Sequence, residues 1–157
     1  INNARRSVHI TTPYLAIDEP MRQALCSAGD SGVDVRLLLP GIPDHKFAYL
    51  AAQSHYGELL VHRVKIYIYE PGLLHGKTVL SDGEAAFVGS VNMDYRSFQL
   101  HFECGTVLYG VPAIEGLAED IQRITDCSRR VTYQEWKSRP WYRKLLSTLL
   151  RLFEMWM

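Results

Sequence analysis

Within the eighteen residues from His75 to Asn92 the chain carries an imidazole, a lysine ammonium, a carboxylate and two small hydrogen-bonding side chains. They lie in the run His75-Gly76-Lys77-Thr78-Val79-Leu80-Ser81-Asp82 and in Gly89-Ser90-Val91-Asn92. As an alternating strand, Lys77, Val79 and Ser81 share one face and Thr78, Leu80 and Asp82 the other, with His75 on the Lys77 side. Ser81-Asp82-Gly83-Glu84 is a turn signal and Ala85-Ala86-Phe87-Val88 a short apolar return strand, so a hairpin brings Ser90 and Asn92 back toward His75. Ser and Asn donors beside a glycine, with a lysine as point charge, suit a phosphate. A neutral imidazole can attack phosphorus near neutral pH, and the phosphohistidine formed divides one displacement into two easier steps. Each residue also has an ordinary reading: a strand lysine is often only solvated, and Ser90 and Asn92 would look the same as plain turn residues.

The pattern H-x-K-x4-D, six residues, then G-S-x-N resembles the HKD signature of the phospholipase D superfamily. The flanks Thr12-Pro13-Tyr14, Gly32-Val33-Asp34-Val35-Arg36, Pro40-Gly41-Ile42-Pro43-Asp44-His45-Lys46, Tyr69-Glu70-Pro71-Gly72 and Asp94-Tyr95-Arg96-Ser97-Phe98 resemble the C-terminal half of bacterial cardiolipin synthases. The likeness runs over nearly the whole chain. It departs at His101, where that family usually has Asn, and at His62-Arg63, where it tends to carry a small residue and Gly.

The resemblance implies a phospholipase D-like α/β fold and transfer of a phosphatidyl group between two phosphatidylglycerol molecules, without nucleotide or metal. His75 would be the nucleophile or the acid/base and Lys77 the phosphate clamp, with Ser90 and Asn92 donating to phosphate oxygens. Glu103 stands where the family has the glutamate that orients the histidine. Asp82 belongs to the signature with either a structural or a chemical role, since its strand parity is opposite to that of His75. The family builds its site from two such motifs, so this chain implies a second half, in the same parent chain or in a homodimer. Alternatives are a phospholipase D-type phosphodiesterase acting on lipid or nucleic acid, and an incomplete half used for membrane binding or assembly. The partners implied are anionic phospholipid and the cytoplasmic face of a bacterial membrane.

A chain of 157 residues, 47% hydrophobic, can bury one sizeable core. Three widely spaced cysteines without a C-x-x-C argue against a disulfide framework or zinc site and for a reducing compartment. No acidic residues fall at ligand spacing with histidines. There is no run of eighteen apolar residues and no signal-peptide pattern. A start at Ile1, directly before a strand, reads as a segment of something longer. Residues 1–127 hold ten Lys/Arg against fifteen Asp/Glu, whereas residues 128–157 hold seven against two. The acidic body argues against nucleic acid as a partner, and the basic tail for an anionic surface.

The elements that must position the motif can be read in order. Ser7–Thr12 is a buried strand. Asp18 caps a helix from Glu19 to about Ala28, broken by Gly29-Asp30-Ser31-Gly32. Val33–Leu39 is a strand parallel to the first. Asp44 caps a helix through Ala52, a second helix covers Ser54–Leu60, and Lys65–Tyr69 is a third strand. After the hairpin come a short helical turn, a strand over Leu100–Tyr109 that carries Glu103, and a helix from Pro112 to about Cys127 with an apolar stripe of Ile114, Leu117, Ala118, Ile121 and Ile124. Thr132-Tyr133-Gln134-Glu135 is a capping box ended by Pro140. Over residues 140–157, Trp141, Leu145, Leu149, Leu152, Phe153 and Trp156 share one helical face, opposite Arg143, Lys144, Ser147, Thr148, Arg151 and Glu154. The order predicts a mixed sheet flanked by helices on both faces, with a catalytic half-domain over 1–131 and a basic amphipathic segment over 132–157 packed on it or on a membrane.

Overall fold

The computed structural model describes residues 1–152. In chain order its elements are β1 (Ser7–Thr11), β2 (Leu15–Ala16), α1 (Glu19–Asp30), β3 (Asp34–Pro40), α2 (Lys46–Ala52), α3 (Tyr56–Val61), β4 (Lys65–Tyr69), β5 (Thr78–Ser81), β6 (Ala85–Gly89), β7 (Met93–Asp94), α4 (Tyr95–Gln99), β8 (Gly105–Tyr109), α5 (Ala113–Asp126), β9 (Ser128–Val131), α6 (Tyr133–Lys137) and α7 (Trp141–Arg151). One mixed sheet has the order β8-β6-β5-β1-β3-β4-β9, and β2 and β7 pair separately. β1, β3 and β4 run parallel, as the buried apolar runs and the intervening helices require. β5, β6, β8 and β9 join antiparallel.

Strand alternation divides the core between two faces. Val35, Leu37 and Leu39 of β3 meet Leu25 and Ala28 of α1 and Leu59 of α3 on one side. Leu38 of β3, Leu80 of β5 and Ala86 of β6 meet Ile114 and Ile121 of α5 on the other. The expected helices on both faces are therefore present, and the stripe foreseen for α5 is the one that packs. Asp18 accepts from the Met21 N–H as the cap of α1.

Two expectations needed correction, and one strand was not expected. α1 does not break at Gly29 but runs through it to Asp30, and a Cβ at Gly29 would sit 2.1 Å from the His62 carbonyl oxygen. That glycine marks a close approach of two backbones rather than a helix stop. The strand expected over Leu100–Tyr109 is formed only from Gly105. The Leu100 and His101 N–H groups instead both donate to the Arg96 carbonyl, closing off α4. β9 was not foreseen at all, since Ser-Arg-Arg-Val reads as a solvated charge run. It survives as an edge strand in which only Val131 is buried and Arg129 pairs with Glu70 and Glu135.

The C-terminal helices pack on the α1 and α3 side. Thr132 accepts from the Glu135 N–H as the capping box foretold, and Trp136 of α6 lies against Gly57 of α3, where a Cβ would meet its ring at 2.4 Å. α7 packs on α2. It does so with its polar side: Ser147 is 4% exposed whereas Trp141 is 75% exposed. Phe153, Glu154 and Trp156 of the expected amphipathic face lie outside the described residues. No helix among the described residues is long and apolar enough to cross a membrane.

Candidate active site

The parallel strands deliver their C-terminal ends to one edge of the sheet, and the loops leaving β1 and β3 there carry Tyr14 and Asp44. β5 runs antiparallel to β1 with Thr78 opposite Thr11, so the residues that enter it, His75 and Lys77, arrive at the same edge. β6 returns beside β5, and the Gly89 N–H donates to the Lys77 carbonyl at 3.2 Å. Thr12, fully buried, donates to the Tyr14 carbonyl at 2.8 Å and accepts from the Met93 N–H at 3.1 Å, tying the loop after β1 to the loop after β6.

His75 and Lys77 point to the same side, as strand parity required. Lys77 Nζ lies 2.8 Å from His75 Nδ1 and donates to the His75 carbonyl at 2.8 Å. The other ring nitrogen, Nε2, faces Asp44 at 3.8 Å, and the Tyr14 hydroxyl donates to the same Asp44 carboxylate. The Tyr14 ring stands edge-on to the imidazole, with centroids 6.4 Å apart. Partial burial lowers the Lys77 pKa, against the raising effect of Glu103, Asp44 and Asp94. Burial pushes the Asp44 carboxyl up, but the Tyr14 hydroxyl and the His45 N–H outweigh it and hold the group below its ordinary range. Burial and the bond to Asp44 raise Tyr14.

Glu103 precedes β8 instead of lying within it. Its carboxylate accepts from the Ser90 hydroxyl and from the Ser97 hydroxyl, the latter at 2.7 Å, and these bonds hold its pKa below the usual range. Ser97 in turn accepts from the Asn92 N–H at 3.1 Å and from its amide Nδ2 at 3.3 Å. Ser90 is fixed by the Cys104 N–H at 3.0 Å. The expected residues thus form two connected groups. One is His75 with Lys77, and the other is Glu103 with Ser90 and Asn92, coupled to the first through the charge of Lys77. The ring nitrogens of His75 face Lys77 and Asp44, whereas Glu103 is taken up by serine hydroxyls.

Asp82 stands apart from both groups, at the far end of β5. Its carboxylate accepts from the N–H groups of Arg5, Arg6 and Ser7 at 2.9, 2.7 and 2.8 Å. Its own backbone turns with φ 55° at the hairpin. The three N–H bonds hold its pKa at about 2. Of the two roles weighed for Asp82, this geometry is that of an anchor for β1.

Asp44 and Ser97 are the residues that sequence reasoning missed. Asp44 was read as a helix cap, but α2 begins at Lys46 with His45 as its cap residue and without a side-chain cap bond. The signal available was its position, an acid in a proline-stiffened loop just past a parallel strand. For Ser97 it was the Asp94-Tyr95-Arg96-Ser97 spacing, in which Asp94 caps α4 by accepting from the Ser97 N–H at 2.7 Å.

Beyond Tyr14 the site opens into a cavity of about 360 Å³. Ala16, Phe47, Ala48 and Ala51 give it apolar surface, and Tyr14, His45, Lys46, Asn92, Asp94, Arg96 and His101 polar surface. Arg96 donates to His101 Nε2 at 3.0 Å.

The fold is shared with solved structures. Nuc from Salmonella typhimurium, a phospholipase D family member, superposes with a TM-score of 0.71 at 19% identity, covering 83% of this chain and 85% of that one. Phosphatidylserine synthase from Haemophilus influenzae does so with a TM-score of 0.75 at 16% identity, covering 98% of this chain and 42% of that one. At such identities the likeness defines the fold alone.

The sequence narrows it further. Residues 1–125 match the family described as cardiolipin synthase, PLD-like domain, and the chain belongs to that family. It is 40% identical over 152 residues to a cardiolipin synthase of Clostridium perfringens and 39% identical over 152 residues to the major cardiolipin synthase of Bacillus subtilis. Each alignment covers 97% of this chain but 32% of the relative, so the chain spans about a third of the length of these proteins.

Proposed function

We propose that this chain is one half of a cardiolipin synthase active site, transferring a phosphatidyl group from one phosphatidylglycerol to another. The observation that carries the reading is the pairing of His75 with Lys77 at 2.8 Å on the strand edge, within reach of Asp44. A nitrogen of His75 attacks phosphorus, the bond to the glycerol oxygen breaks, and glycerol leaves with a proton from the histidine of the second half. That histidine then takes the proton of the second lipid's terminal hydroxyl. The oxygen attacks phosphorus, the P–N bond breaks, and cardiolipin and free His75 result. The two histidines could exchange these roles without altering the balance.

Lys77 neutralises the non-bridging oxygens without reacting. Ser90 and Asn92 border the phosphate, and Glu103 fixes the hydroxyls that face it. Asp44, held by Tyr14, orients the imidazole and stabilises its charged form, the part sequence reasoning gave to Glu103. The second half lies in the longer parent chain, or in a second copy. The basic tail favours an anionic membrane surface, and three free cysteines fit the reducing, cytoplasmic side.

The test is the full-length parent incubated with phosphatidylglycerol and its lipid products identified. Cardiolipin with stoichiometric glycerol is expected, and phosphatidate as the sole product would instead mean hydrolysis. His75→Ala should lower turnover about 10⁴-fold or more with the melting temperature retained. Near-normal cardiolipin from that variant would sink the mechanism.

A further inference from the structure

The cavity beyond Tyr14 is larger than the reacting phosphorus needs, and its polar wall has a cation of its own. Transfer between two phosphatidylglycerol molecules brings two phosphates to the site, one that reacts and one that the acceptor lipid merely carries. Lys77 lies beside His75 and serves the first. Arg96 lies in the wall of the cavity, which shares Tyr14 with the His75 side. Its guanidinium donates to His101 Nε2, which places the ring proton of a neutral His101 on Nδ1 and holds the fork of the arginine in one orientation. Asn92 forms part of the same wall with its amide Oδ1 buried and without a partner, an acceptor suited to the hydroxyl of an alcohol and not to its phosphate. Phe47, Ala48 and Ala51 from α2 give it apolar surface, and Lys46 at the start of the same helix adds a second cation. A cavity lined by two cations and an apolar stretch is matched to an amphiphile that carries an anion.

On the reading given above, we infer that this cavity is the acceptor subsite, in which Arg96, steered by His101, holds the phosphate of the second phosphatidylglycerol while α2 receives the start of its acyl region. The three-carbon glycerol arm then carries the acceptor hydroxyl past Tyr14 to the phosphorus on His75. Asp94 stands in the same lining and would repel a phosphate, so the subsite needs the cations, with Arg96 the one that offers a fork and Lys46 a point charge. Arg96 and His101 are specificity residues, selecting an anionic alcohol over a neutral one.

The experiment uses the full-length parent with phosphatidylglycerol in mixed micelles. Cardiolipin formation reports the lipid acceptor, and incorporation of labelled glycerol into phosphatidylglycerol reports a neutral acceptor through the same first step. Arg96→Gln should lower the ratio of the first rate to the second about tenfold, as loss of a charge-assisted hydrogen bond predicts, through a higher KM for the acceptor lipid. Arg96→Lys should fall between, since it keeps the charge but not the fork. His101→Ala should lower the ratio, and His101→Asn, which retains an acceptor for the guanidinium, should restore it. Calorimetric titration with glycerol 3-phosphate should detect binding to the wild-type parent and about tenfold weaker binding to Arg96→Gln. An unchanged ratio, or an equal fall in both rates, would overturn the subsite. If the wild-type parent makes no cardiolipin, the proposed function fails, and the titration alone decides the anion site: absence of binding, or binding indifferent to Arg96→Gln, overturns it.

Discussion

At the scale of single residues, Asp82 and His75 show that a sequence signature can join side chains that never meet. His75 stands at the edge where chemistry is proposed, whereas Asp82 collects three backbone N–H groups at the opposite end of the same strand. Asp82→Ala should therefore act on the fold before it acts on catalysis. It should lower the melting temperature of the parent by on the order of 5 °C, with KM for phosphatidylglycerol unchanged in whatever fraction remains folded. A variant that melts normally but has lost turnover would assign Asp82 to the chemistry instead. The sign with pH follows from a folded pKa of about 2. The contribution is fully present above the ordinary carboxylate range and is lost as pH falls toward about 2, so wild type and Asp82→Asn should converge in stability under strong acid. Lys77 titrates the other way, because burial lowers its pKa and its charge is lost at a lower pH than that of a free lysine. Lys77→Arg should move the alkaline limb of the kcat/KM profile upward while lowering its plateau, and a limb that does not move would detach Lys77 from it.

Among the elements, α7 has an orientation that its amphipathic pattern alone did not decide. The helix packs on α2 with Ser147 its buried residue, and Lys144 reaches α6, donating to the Lys137 carbonyl at 2.6 Å and lying over the Trp136 ring at 5.5 Å. That leaves Trp141, Leu145, Leu149 and Leu152 facing outward, the arrangement suited to the headgroup boundary of an anionic bilayer. Replacing Trp141, Leu145 and Leu149 by Ser should weaken sedimentation of the parent with phosphatidylglycerol vesicles several-fold without a change in melting temperature. Unfolding of that variant would mean the face is covered by protein. The same helix shows what a sequence can and cannot convey. Its periodicity was legible, as were the hairpin, the stripe of α5 and the capping box at Thr132, because each rests on neighbours a few residues apart. Which side of α7 packs depends on α2, about a hundred residues earlier. β9 was hidden because an edge strand needs only one buried side chain, and Asp44 because a helix cap and a site carboxylate look alike until β3 and β5 are brought together. Of the site, the pairing of His75 with Lys77 followed from strand parity, while the Glu103 network required the unrecognised hydroxyl of Ser97.

For the whole molecule, the exposed edge of the sheet bears on how two halves could meet. β8 is the last strand on the side of the motif hairpin, and Val107 and Tyr109 on it, with Phe102 just before it, are among the most exposed large apolar side chains. An open apolar edge of this kind invites pairing, and the proposed second half is its natural cover. Val107→Glu with Tyr109→Lys in the parent should lower turnover about tenfold and split a single melting transition into two. Unaltered turnover and a single transition would place the second half elsewhere. A different consequence follows from the way β1 is tied in place. Its lower end waits for the carboxylate of Asp82, 75 to 77 residues further along, and its flank waits for β5. During synthesis β1 can pair with β3 as soon as that strand is made, but its other edge stays open until β5 follows, about seventy residues after β1 itself. The signature that carries the proposed chemistry thus also holds the latch that ends this wait.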